Sequence, residues 1–92
     1  MNTHIESARA AAAIAADEVR QAESTLNDHK RALRTARAAV DEVTNIDEAA
    51  EAIRKHEIAA ELAERKVRLA KQKHEAAGVA LLDAELAHNR DR

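Results

Sequence analysis

Val40-Asp41-Glu42-Val43-Thr44-Asn45-Ile46-Asp47-Glu48 is the stretch on which the fold depends. Asn45 followed by Asp47 and Glu48 reads as a helix start, with the Asn side chain as N-cap and acids in the first turn. A helix that starts in mid-chain needs another to end just before it. Val43-Thr44-Asn45 is the place: two β-branched residues, then an Asn that tolerates the left-handed backbone of a helix end. The other start signal is at the N-terminus, where Thr3-His4-Ile5-Glu6 has the form of a capping box.

The apolar pattern agrees on both sides of the break. Ile5, Ala12, Val19, Leu26, Leu33 and Val40 recur every seven residues, with Ala8, Ala15, Ala22, His29, Ala36 and Val43 interleaved. After the break, Ile46, Ile53, Ala60, Val67, His74, Leu81 and His88 form one series, and Ala49, His56, Ala63, Ala70, Ala77 and Ala84 the other. Such heptads are the signature of a coiled coil. From Val43 to Ile46 the step is three where an unbroken repeat needs four, so the phase slips at the turn.

Folding the chain there, antiparallel, makes facing core positions add to 89. The layers then read Val43–Ile46, Val40–Ala49, Ala36–Ile53, Leu33–His56, His29–Ala60, Leu26–Ala63, Ala22–Val67, Val19–Ala70, Ala15–His74, Ala12–Ala77, Ala8–Leu81 and Ile5–Ala84. Nearly every layer sets one large residue against one alanine, the volume match that close packing requires. Alanine in each layer lets the helices approach to near ~8 Å, the lower end of normal spacing. The expected fold is therefore all-α: a long antiparallel two-helix coiled-coil hairpin with an alanine-rich seam. Helix one covers about 4–43, the turn about 44–45, and helix two about 46–88. An intermolecular pair of straight rods would satisfy the same layers, but the turn signal favours the hairpin.

Composition supports this. Pro is absent, Gly occurs only as Gly78, and there is no Phe, Trp or Tyr, although hydrophobic residues are 46 % and charged residues 35 %. Much of the apolar count is alanine, so a large globular core is out of reach at this length. The chain has no Trp-x-Gly or Pro-containing turn, so the hairpin families recognised by those turns are not indicated. Cys is absent as well, which removes disulfides and thiol chemistry. No run of about 18 apolar residues exists to span a membrane. Ala10 to Ala16 lacks the basic flank of a signal peptide. The expected setting is cytoplasmic, as for many small bacterial and phage accessory proteins.

Several apolar residues are not used by the seam. They are Ile14 on helix one and Ile58, Leu62, Leu69, Ala76, Val79, Leu82 and Leu86 on helix two. Ile58, Leu62, Leu69 and Ala76 fall at four- and seven-residue spacing, a second helical stripe that a two-helix hairpin cannot cover. These eight residues are the expected protein-binding or oligomer interface. The expected partners are a second copy, giving a four-helix bundle, and a further protein. The corresponding function is that of a small adaptor, inhibitor or co-chaperone. The alternative is a self-assembling structural subunit of a phage or secretion-type assembly.

Four of the five histidines, His29, His56, His74 and His88, fall on core heptad positions. Buried neutral, His29, His56 and His74 would make helicity fall between roughly pH 7 and 5. Two adjacent histidines without a third ligand make a poor metal site, and no metal or other cofactor is expected. The basic run Arg65, Lys66, Arg68, Lys71 and Lys73 is offset by acids, giving a net charge of −2. Without aromatics for stacking, nucleic-acid binding is not expected. Antiparallel pairing instead places Asp17, Glu18 and Glu23 near that run. No catalytic pair, Gly-rich phosphate loop or H-E-x-x-H is present, so no enzymatic activity is expected.

Overall fold

The computed structural model describes residues 3–42 and 44–90. Helix α1 runs Thr3–Ala38, a short 3₁₀ turn follows at Val40–Glu42, and helix α2 runs Ile46–Arg90. The fold is all-α, two long helices packed antiparallel as a coiled-coil-like hairpin. The chain divides into two compact units. A turn unit spans Ala22–Val67, and a terminal unit combines the residues up to Gln21 with those from Arg68 onward.

In the turn unit, α1 stops at Ala38, earlier than the repeat suggested. The Thr35 hydroxyl donates to the Arg31 carbonyl at 3.0 Å, a back-bond that loosens helical hydrogen bonding. The Ala39 N–H still reaches the Thr35 carbonyl at 3.1 Å, but the Glu42 N–H bonds to the Ala39 carbonyl at 3.0 Å. That is the tighter i→i+3 winding with which helix ends often close. No described residue outside glycine has a positive φ, so Asn45 does not take the left-handed form that the sequence permitted. Its role as N-cap is realised: the Asn45 Oδ1 accepts from the Glu48 N–H at 3.1 Å. The Asn45 carbonyl also accepts from the Ala49 N–H at 3.1 Å, the first bond of α2.

α1 ends at Ala38 and the 3₁₀ turn Val40–Glu42 takes the place of its last turn; Val40 and Ala49, facing residues in the next layer, are half-buried. Ile46, expected in the core layer nearest the turn, is 73 % exposed, and its expected facing residue Val43 lies outside the described residues. Deeper in the same unit the seam closes as the layers require. Ala60, Ala63 and Val67 are buried, and Ala22, Leu26, His29, Leu33, Ala36, Ile53 and His56 are half-buried.

In the terminal unit, Ile5, Ala15 and Ala84 are buried; Ala8, Ala12, Val19, Ala70, Ala77, Leu81 and His88 are half-buried. His74 departs from its expected layer: it is exposed although Ala15, its assigned partner, is 1 % exposed. A buried imidazole must find partners for its ring nitrogens or lose about 1–3 kcal/mol each. In a seam one residue wide, a ring turned to water avoids that cost, and the alanine across is covered without it.

Ion pairs flank the seam in each unit. In the terminal unit Arg9 Nε lies 3.9 Å from Glu85 Oε1 and Lys73 Nζ lies 3.1 Å from Glu18 Oε2. In the turn unit Arg37 pairs with Glu57 at 3.4 Å. Arg9, Glu85, Arg37 and Glu57 each follow a core residue, while Glu18 and Lys73 each precede one. These are the flanking positions an antiparallel heptad pair brings together, and all three pairs fit the layers that sum to 89. The Glu18–Lys73 pair is one of the cross-helix contacts expected for the basic run. Asp17 instead stays on its own helix, with Arg20 at 3.3 Å and Gln21 at 2.9 Å.

Candidate protein-binding face

The candidate face lies mainly on α2, away from the seam. A helix advances about 100° per residue, so positions two beyond a seam residue point nearly opposite to it. Leu69, Ala76, Val79 and Leu86 stand two beyond Val67, His74, Ala77 and Ala84. Burial follows this rule. In the terminal unit Leu69 is 64 % exposed, Val79 55 %, Leu82 54 % and Leu86 49 %, and Ala76 is exposed too. On α1 of this unit Ile14 is 60 % exposed.

The turn unit carries its own pair. Ile58 and Leu62, one turn apart on α2, are 50 % and 51 % exposed. Ile46 belongs with the exposed apolar residues of this unit, though nothing in the heptad reading marked it.

The two units offer different chemistry beside these side chains. In the turn unit a groove of about 570 Å³ is lined by Asp28, Arg31, Thr35 and His56 beside three alanines. Its one hydroxyl, on Thr35, is already bonded to the Arg31 carbonyl.

Of the histidines expected as a pH-sensitive core, two lie at the seam and one does not. His29 and His56 are half-buried, His74 is exposed, and no polar or charged side chain is buried among the described residues. Among the described residues no group of three or more His, Cys, Asp or Glu could hold a metal ion. No helix among them is long and apolar enough to cross a membrane.

Compared with protein-family models, with curated proteins and with solved structures, the chain matches none.

Proposed function

We propose that this chain is a non-enzymatic protein-binding module. It acts as a small adaptor, inhibitor or co-chaperone through its helical faces, as a homodimer, in the cytoplasm. The observation that carries the reading is the set of seven large apolar side chains outside the seam: Ile14, Ile58, Leu62, Leu69, Val79, Leu82 and Leu86 are all about half exposed or more. Apolar surface of this kind, gathered on a helix and rimmed by charge, is what one helix offers another in a partner protein. Each such side chain gains about 1.5–3 kcal/mol on full burial, and about half of that is still available here. The charged residues beside it, among them Arg54, Lys55 and Glu61 in the turn unit, set specificity and association rate more than affinity.

The test is capture from a lysate with wild-type bait beside a Leu62→Glu/Leu69→Glu variant, together with the bait's mass by light scattering. A larger protein retained by the wild type and lost by the variant supports the module. Recovery of the bait alone, with a monomeric variant, refutes it.

A second reading is a structural subunit that assembles with itself. The observation favouring it is that each unit separately carries exposed apolar residues, so a contact made by one unit leaves the other free to recruit a further copy. Open, growing assemblies use such unlike faces.

A further inference from the structure

The proposed function leaves open what covers the outer face of α2 in the terminal unit. There the exposed residues do more than cluster. Leu69, Gln72, Ala76, Val79, Asp83 and Leu86 follow one another at spacings of three, four, three, four and three, and all six are exposed. That is a second heptad, on the side of the helix opposite the one that closes the hairpin. Four of its members are apolar and two, Gln72 and Asp83, are polar.

We propose that this face is occupied by a second copy of the chain, its α2 antiparallel to the first, in the register where facing positions add to 155. This rests on the reading of the chain as a homodimeric module and names the surface and alignment. The argument is the complementarity of the stripe with itself. In that register Leu69 faces Leu86 of the second copy and Ala76 faces Val79. The two polar members also fall together: the Gln72 amide donates to the Asp83 carboxylate, a hydrogen bond strengthened by the acceptor's charge. By two-fold symmetry each layer occurs twice.

The flanking positions agree. The intrachain ion pairs show which residues an antiparallel seam brings together: those that follow core residues meet, and those that precede them meet. Applied to this stripe, the same rule sets Ala80 against Ala80, Lys73 against Ala87 and Glu75 against Leu82, with no like charges opposed. One layer further the register would oppose Arg65 and Arg90, so the seam ends at Leu69–Leu86. Parallel alignment in register would oppose Asp83 to Asp83. A shift by one heptad would set the Gln72 amide against the Ala76 methyl and lose both Gln72–Asp83 hydrogen bonds.

The experiment is sedimentation equilibrium of the full chain over a wide concentration range, read by refractive index. The wild type should pass from monomer to dimer, and Leu69→Glu should remain monomeric with its helicity intact. The register is read by charge. Gln72→Lys should tighten the dimer about fivefold and Gln72→Glu loosen it about as much, two exposed pairs changing in each case. Gly78→Ala, outside the stripe, should leave the dimer unchanged. A wild type that stays monomeric overturns the proposal. So does a dimer indifferent to both Gln72 variants, since Gln72 would then not face Asp83. Should Leu69→Glu unfold, the Gln72 pair decides alone. The broader module reading fails separately, on the capture experiment, when the wild-type bait retains no other protein.

Discussion

Gly78 lies inside α2, and replacing it with alanine should stabilise the protein. The glycine sits in the helix interior with an ordinary negative φ, and it is exposed. A methyl group built at its Cα meets nothing within 4 Å. Alanine therefore brings no clash and needs no backbone change. What remains is the intrinsic preference: alanine is favoured over glycine in a helix interior by about 1 kcal/mol, in part because the unfolded chain has less freedom to lose. For a chain of this length, about 1 kcal/mol raises Tm by about 4–8 °C. Thermal melts followed by far-ultraviolet circular dichroism, wild type beside Gly78→Ala at several concentrations, measure it directly. Hydrogen exchange should show slower opening of α2 around position 78 in the terminal unit. An unchanged or lower Tm would refute the reasoning. A loss that grows with concentration would mean that another copy packs against the bare backbone at Gly78, on a different side of α2 from the stripe assigned above.

The other expectations follow from the same geometry. Asn45→Ala removes the acceptor of the Glu48 N–H and should cost about 1 kcal/mol, read as a lower denaturation midpoint with an unchanged slope. Ala15, 1 % exposed, has no room for a larger group: Ala15→Leu should destabilise by about 1–3 kcal/mol, and a neutral or stabilising result would show the helices further apart than an alanine seam implies. Arg37→Ala breaks a pair whose two side chains are both more than 45 % exposed. It should change stability by no more than about 1 kcal/mol, less in high salt; a larger loss in a double-mutant cycle with Glu57→Ala would overturn this. Ile46→Gln should be nearly neutral to folding in the same denaturation assay, because Ile46 is 73 % exposed.

The heptads made the seam legible because burial along a helix is periodic, and a period can be read from sequence. Ile5, Ala15, Ala60, Ala63, Val67 and Ala84, the buried residues, all stand on core positions of the two series. The residues left outside the seam were legible for the same reason, by subtraction. Two features were not. The end of α1 depends on a local contest between helical and 3₁₀ hydrogen bonds around Thr35 and Ala39, which periodicity does not register, and the 73 % exposure of Ile46 was not marked by it either. The orientation of His74 depends on how its ring nitrogens are satisfied. A heptad assigns a position to a layer, whereas a side chain with one polar end can leave that layer without moving its backbone.

The division into two units bears on how the chain reaches this fold. The turn unit is one unbroken stretch of sequence, Ala22–Val67, whereas the terminal unit joins segments that this stretch holds apart. Contacts near the turn require only short loops to close. Those between the two ends require the longest loop in the chain, with its larger entropy cost. Once the turn unit has formed, that loop is already shortened, and the remaining layers can close in sequence outward, each reducing the cost of the next. Such zippering from a local start is fast. By the same entropy the Asn45 cap and the Ala36–Ile53 layer close first, the layers of Ala60, Ala63 and Val67 after them, and the Ile5–Ala84 layer last, so that it is also the first to fray.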